Sequence, residues 1–396
     1  MKKTITNDNP CVVARNKTIT IGIPAYKAQN TIEECLSSIN IQTMRDNIEV
    51  VIANDNPGVD DYSYLKKLFP KLDIVLTETE KNGGPGVARN KTIEKGTGDW
   101  IMFMDADDVL FSPYSVEQLY NATKQLNVIQ AQGVFVQPIK SNDGKVVLYP
   151  QNNINHPWSF ARLTNLNFLK QNKIDFGLLP NMEDGRFQWC INLLIDGTPL
   201  KRSIINDVCY VWKEGSEHSI TRSGMDINGG IPVYNFSMCQ IGASIAAKQA
   251  VEFALSRNPF NGNIQKFLIE QMVGHYFTYY ECKEKCPIFA EQNWWLSQWF
   301  YNECFKKYCA NITDELIDQF YMKMLSVKGN ILKHFPELTF KQWFDKIKKD
   351  DFIFEELQNI RNRLPQEILD VERKSGSLTQ EARDNALAIF DVDNHD

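Results

Sequence analysis

Trp100-Ile101-Met102-Phe103-Met104-Asp105-Ala106-Asp107-Asp108 is an apolar run that ends in three carboxylates. Ile101 to Met104 has the composition of a buried central strand. Asp105, Asp107 and Asp108 then fall at its C-terminal tip. Like charges beside a core strand repel one another and are costly to desolvate, so they require a counter-charge. A divalent cation is the simplest one.

Around this run, residues 18–137 alternate strand and helix. Thr18 to Ile23 is β-rich and stops at Pro24. Asn30-Thr31-Ile32-Glu33 reads as a helix N-cap followed by an early acid, with Ile32, Cys35, Leu36 and Ile39 at helical spacing. Ile48 to Ala53 is a second strand, ending in the turn-rich Asn54-Asp55-Asn56-Pro57-Gly58. Tyr62 to Phe69 reads as a helix and Asp73 to Thr77 as a short strand. Gly83-Gly84-Pro85-Gly86 opens a helix over Val87 to Lys95. Tyr114 to Leu126 is a further helix and Val128 to Gln137 a further strand. This alternation predicts an α/β fold with a mixed, mostly parallel sheet flanked by helices. Ligands bind such sheets beyond the C-terminal strand ends, where Asp55, Asp105 and Asp107 lie.

Beyond Gln137 the pattern changes. Ser141-Asn142-Asp143-Gly144 between β-rich runs predicts a hairpin turn. Residues 157–222 read as short strands mixed with loops, and the chain is helical from about Tyr234. The aromatic stretch Phe260 to Cys309 reads as a helical core in preference to a ligand-stacking platform. The expected organisation is a leader over 1–17, an α/β domain over 18–225 divided at 137/138, and a helical region over 230–396. Ser375 to Asp396 is polar and acidic, a composition that frays. Val13 to Ile19 recurs as Val87 to Ile93 without a solenoid period, and function is assigned only to the second copy.

The whole chain sets further bounds. It has 396 residues, 43% hydrophobic and 23% charged, with a net charge of −6. No global basic field advertises nucleic-acid binding. The 9 cysteines are scattered without metal-ligand spacing, which predicts free thiols in a reducing, cytoplasmic setting. No apolar stretch approaches the roughly 18 residues of a membrane span, and Met1 to Pro10 lacks the apolar segment of a signal peptide. Gly83 and Gly86 lack the spacing of a dinucleotide-binding loop, which argues against a nicotinamide dehydrogenase.

Several motifs, in order, resemble the family 2 glycosyltransferases of GT-A fold. Thr20-Ile21-Gly22-Ile23-Pro24-Ala25-Tyr26-Lys27-Ala28 is similar to the family's opening strand. Asn82 to Asn90 is similar to its glycine-rich segment, and Phe103 to Asp108 to its DxD motif. Ile174-Asp175-Phe176 followed by Glu183-Asp184 resembles the approach to the catalytic acid pair. Tyr210-Val211-Trp212 and then His218-Ser219-Ile220-Thr221-Arg222 resemble the segment that closes the site. The likeness covers residues 18–222.

The resemblance implies an inverting enzyme that moves a sugar from a UDP-sugar to an acceptor hydroxyl. Asp107 would bind the metal, Mn²⁺ or Mg²⁺, with Asp105 facing the nucleotide ribose or reaching the metal beside Ala106. His218 would add an imidazole ligand; the alternative is a surface histidine. Asp184 would be the base and Glu183 its orienting neighbour; the alternative is a pair of solvated loop acids. Asp55, Pro24, Ala25 and Tyr26 would meet the nucleobase, although Asn54-Asp55-Asn56-Pro57 departs from the usual turn there. Arg89 would pair with phosphate, with the carboxylates, or simply anchor its helix. Gly83 belongs to the nucleotide side. The acceptor stays open among a saccharide or glycoconjugate, a protein, and hydroxylated bases of phage-type DNA. A catalytically inactive module that binds a glycan or partner is the alternative of another class. The aromatic helical region would be the place for an oligomer contact.

Overall fold

The computed structural model describes residues 17–140, 145–151, 156–179, 181–213, 233–285, 287–309, 313–328 and 336–349. Its centre is a nine-stranded sheet. The strands are β1 (Ile19–Ala25), β2 (Ile48–Asn54), β3 (Asp73–Glu78), β4 (Trp100–Phe103), β5 (Val109–Leu110), β6 (Val128–Lys140), β7 (Val146–Gln151), β8 (Arg162–Asn165) and β9 (Lys201–Val211). Their order is β3-β2-β1-β4-β8-β6-β9-β5, with β7 paired to β6.

The order places the site. β3, β2, β1 and β4 are mutually parallel, with Ile19 opposite both Ile48 and Trp100. β1 therefore sits where the chain departs in two directions, and the tips of β1, β2 and β4 open onto one crevice. All seven residues of β2 are buried, as expected for a strand covered on both faces. Beyond β4 the sheet turns antiparallel through β8 and β6, and then β9 runs parallel to β6. The expected α/β class with a mixed sheet, flanking helices and a helical C-terminal region is what forms.

Helices α1 (Ile32–Asn40), α2 (Leu65–Leu68), α3 (Pro85–Lys95) and α4 (Ser115–Thr123) lie between these strands. Pro85 is the first residue of α3, where a missing N–H costs nothing, and Gly84 precedes it at φ +83°. The expected helix over Tyr62 to Phe69 contracts to the four residues of α2. The turn expected at 141–144 lies outside the described residues, but β6 and β7 pair across it from Phe135↔Gln151 to Lys140↔Val146.

Residues 157–222 depart furthest from the expectation of short strands and loops. They contain α5 (Leu166–Asn172) and the thirteen-residue α6 (Glu183–Ile195). Phe187, Cys190, Ile191 and Ile195 are all buried along α6. That spacing is helical and was readable. Glu183 and Asp184 thus occupy the first turn of a helix rather than a loop.

The helical region comprises α7 (Val233–Arg257), α8 (Asn263–Lys285), α9 (Pro287–Phe300), a π turn (Tyr301–Phe305), α10 (Lys306–Tyr308), α11 (Asp314–Lys328) and α12 (Phe340–Lys349). One hydrophobic cluster runs from Ile101 and Phe103 of the sheet through Phe187 and Ile191 of α6 to Trp343 and Ile347 of α12. The aromatic stretch packs as core: Phe300 and Tyr276 are fully buried. Close contact also fixes Gly242 of α7, where a Cβ would lie 2.6 Å from the Asn181 carbonyl oxygen. The helical region thereby presses on the chain just ahead of Glu183. Among the described residues no helix is long and apolar enough to cross a membrane, and the described cysteines 35, 190, 209, 282, 304 and 309 are buried thiols.

Candidate active site

Arg89 is the hub of the crevice. Its guanidinium donates to Asp105 Oδ1 at 2.7 Å and to Glu183 Oε1 at 2.9 Å, and lies 3.6 Å from Asp184 Oδ1. It also rests 5.4 Å from the Phe176 ring centroid. The side chain is 5% exposed. Burial works against its charge, but Asp184, Asp105 and Glu183 more than offset this and hold it protonated. Of the three expected partners, the carboxylates are the ones Arg89 meets. The counter-charge expected from a cation is thus supplied to Asp105 by a guanidinium.

α3 and α6 meet head to head at this hub. A Cβ on Gly86 would lie 3.1 Å from Glu183 Cγ and 3.4 Å from Phe176 Cβ, so a side chain there would crowd the contact between the two helices. Burial raises the Glu183 carboxyl to about 7, reinforced by Asp184 and opposed by Arg89. Burial also raises Asp184, against the pull of Arg89, a Ser159 hydrogen bond and Arg162. Asp184 Oδ1 is buried and accepts no hydrogen bond from the protein.

The carboxylates at the tip of β4 have separate surroundings. Asp105 is partly exposed and Asp107 likewise. Asp108 is 1% exposed, and accepts from the Tyr210 hydroxyl at 2.7 Å and the Lys213 backbone N–H at 2.7 Å. The Tyr210 hydroxyl in turn accepts from the Asp105 N–H at 3.1 Å. Asp108 therefore ties the end of β9 beneath the site. Burial raises its carboxyl well above the usual range, and Asp105 and Asp107 add to this.

On the other side of β4, Asp55 follows β2 and is 3% exposed. It accepts from Thr79 Oγ1 (2.9 Å), Gly83 N–H (3.0 Å) and Gly84 N–H (2.8 Å). Burial raises it to about 6 despite these donors. Its visible work is to hold the glycine loop that starts α3. A nucleobase would have to use the lone pairs that these donors leave. Pro24 and Tyr26 are half-buried at the end of β1, while Ala25 and Ala106 are buried. His218 lies outside the described residues.

Three contributors escaped the sequence reading: Ser159, Arg162 and the hydroxyl of Tyr210. Arg162 is 1% exposed, and donates to Gln132 Oε1 at 3.0 Å, to the His156 carbonyl at 2.7 Å and to the Trp158 carbonyl. A single arginine in a β-rich run carries no local signal of burial.

Among the described residues no group of three or more His, Cys, Asp or Glu is arranged to hold a metal ion. Asp105 and Asp107 do present two hard oxygen donors flanking Ala106 at a strand tip. That donor set suits a cation that takes its other ligands from substrate phosphates and water.

Residues 20–183 match the family described as glycosyl transferase family 2. The poly(ribitol-phosphate) beta-glucosyltransferase of Bacillus spizizenii is 29% identical over 214 residues, covering 50% of this chain and 33% of that protein. The glycosyltransferase GlyA of Streptococcus pneumoniae is 36% identical over 103 residues, covering 26% and 14%. The chain thus spans a third or less of the length of these two relatives. The structure of S. aureus TarS 1-349 in complex with UDP-GlcNAc superposes with a TM-score of 0.49 at 16% identity, covering 81% of this chain and 94% of that one.

Proposed function

We propose that this chain, which belongs to glycosyl transferase family 2 over residues 20–183, transfers a sugar from a UDP-sugar to a hydroxyl of a saccharide or glycoconjugate. The observation that carries this reading is Asp184, a carboxylate whose side chain is 16% exposed and which lies 3.6 Å from the buried Arg89 hub. An acceptor hydroxyl meets its exposed edge. Asp184 takes its proton as the oxygen attacks the anomeric carbon. With one base and direct displacement, the anomeric configuration inverts. Arg89 holds Asp184, Glu183 and Asp105 in register and keeps both acids from drifting into water. Glu183 orients the guanidinium that orients the base.

The nucleotide side lies at the tips of β1 and β2, around Pro24 to Tyr26, Asp55 and Gly83. A divalent cation at Asp105 and Asp107, with His218 as a further ligand, would stabilise the charge that develops on the departing diphosphate. Among the described residues, the basic side chains that act on Asp184, Arg89 and Arg162, are 4% and 1% exposed and are spent on protein partners.

The test is UDP release from a panel of UDP-sugars, with and without Mn²⁺. Poly(ribitol phosphate) serves as the first acceptor, because the Bacillus relative is named for it. Release that depends on one donor and on Mn²⁺ is expected. No release from any UDP-sugar would overturn the reading in favour of an inactive binding module.

A further inference from the structure

Beneath the base lies a pile of aromatic rings that the transfer chemistry alone does not use. Tyr210 and Phe160 stack at 4.9 Å and 5°. Phe160 and Trp158 stack at 5.7 Å and 10°, and Trp158 meets Trp212 at 5.7 Å and 34°. Phe135 closes the pile edge-on against Trp158, Phe160 and Trp212. The inner rings are buried: Tyr210 and Phe135 at 0% exposure and Phe160 at 3%. Trp158 and Trp212 are the outer members and are only half-buried.

The two tryptophans are held with unusual care for surface residues. Arg162 bonds the carbonyls of Trp158 and His156 and the side chain of Gln132 on β6, and its charge acts on Asp184, so this turn is fixed both to the sheet and to the proposed base. Trp212 donates its N–H to the Val136 carbonyl at 2.9 Å, and the next N–H, of Lys213, goes to Asp108. The backbones are pinned while ring surface stays in water.

Position completes the argument. Ser159, next to Trp158, hydrogen-bonds the proposed base Asp184. Tyr210, two residues before Trp212, bonds Asp105 and Asp108. Strand order puts β8 and β9 on the side of β4 away from β1 and β2, hence away from the nucleotide side. We propose that Trp158 and Trp212 form an acceptor subsite that stacks the C–H face of a sugar ring and so presents its hydroxyl to Asp184. An indole face is electron-rich and apolar, and the C–H face of a pyranose is weakly positive and apolar; their contact covers the ring area left in water. The rigid seat lowers the entropy lost on binding.

This subsite rests on the transferase reading for its role, but its test does not. Methyl pyranosides of glucose, galactose, mannose and N-acetylglucosamine are titrated against the full chain in the presence of UDP. Binding is read by saturation-transfer NMR. At least one pyranoside should show saturation of its ring C–H protons. In Trp158→Ala and Trp212→Ala that binding should weaken at least ten-fold more than UDP binding does, and Trp158→Phe should recover most of it. Trp158→Leu, which keeps most of the volume, covers the case in which the alanine variant does not fold. No pyranoside bound, or binding equal in wild type and both variants, overturns the subsite. Failure of UDP-sugar turnover with tryptophan-dependent pyranoside binding intact would instead overturn the transferase reading alone.

Discussion

Arg89 and Glu183 stand 94 positions apart in the chain and 2.9 Å apart in the fold. Their contact joins the second turn of α3 to the first turn of α6, so α3 and the helix bearing the proposed base are locked by one ion pair. The same guanidinium reaches Asp105, which couples the tip of β4 to both.

Arg89→Met leaves Glu183 and Asp184 buried without their shared counter-charge. The loss should be about 3–5 kcal/mol in urea unfolding at pH 7. It should shrink at pH 5, because burial raises the Glu183 carboxyl to about 7, so it is protonated there and no longer carries the charge that Arg89 balanced. A destabilisation independent of pH would show that Arg89 acts through packing on Phe176.

Asp184→Asn keeps the shape of the first turn of α6 but cannot take a proton. Transfer should fall by about 10²–10⁴-fold in kcat. UDP affinity, followed by calorimetry, should stay close to wild type. Normal transfer would place the base elsewhere.

Asp55 supplies a pH dependence of stability. Burial raises its carboxyl from an ordinary 3.8 to about 6, so the native state prefers the protonated form more than the unfolded chain does. Its favourable contribution is therefore full below pH 3.8 and is lost as the pH rises through about 6. Asp55→Asn should flatten this part of a stability profile measured between pH 4 and 7. It should also loosen the Gly83–Gly84 loop, which loses one carboxylate acceptor, and so raise the KM for the donor.

Gly86→Ala places a methyl against Glu183 and Phe176 at 3.1–3.4 Å. Overpacking of this kind costs about 1–3 kcal/mol. Because the displaced atoms include Glu183, the proposed orienting neighbour of the base, kcat should fall by more than the melting temperature suggests. An alanine variant with wild-type kcat would mean that the head-to-head contact of α3 and α6 is not needed for transfer.

Asp107→Ala tests the cation. Metal-stimulated UDP release should disappear, and added Mn²⁺ should no longer raise the melting temperature in the presence of UDP. Retained stimulation would assign the cation to other ligands.

Much of the parallel part of the sheet was legible because its signals are local. β2 and β4 are apolar runs that end just before Asp55 and Asp105, and Pro85 announces α3; β1, expected to stop at Pro24, runs on through it to Ala25 as it pairs with β2. The acid pair was legible only as a pair. Its helix was missed, although Phe187, Ile191 and Ile195 repeat at helical spacing, because Gly177, Pro180 and Asn181 just ahead of it read as a turn. Arg89 was open among three partners, since a helical arginine carries no mark of which carboxylate it will meet. Arg162 and Ser159 left no mark at all.

The sequence by itself determined the α/β class, the strand ends that carry Asp55, Asp105 and Asp107, and the candidate acids Glu183 and Asp184. Those follow from hydrophobic periodicity and turn chemistry, which act over a few residues. Only the tertiary structure decided how the charges divide. Asp105, Glu183 and Asp184 share Arg89, Asp108 is given to Tyr210 and the Lys213 N–H, and Asp55 holds the glycine loop. Such assignments depend on distances between segments up to about a hundred residues apart. Burial then multiplies the consequence of each distance, because a charge removed from water must be met by whichever partner the fold brings near it.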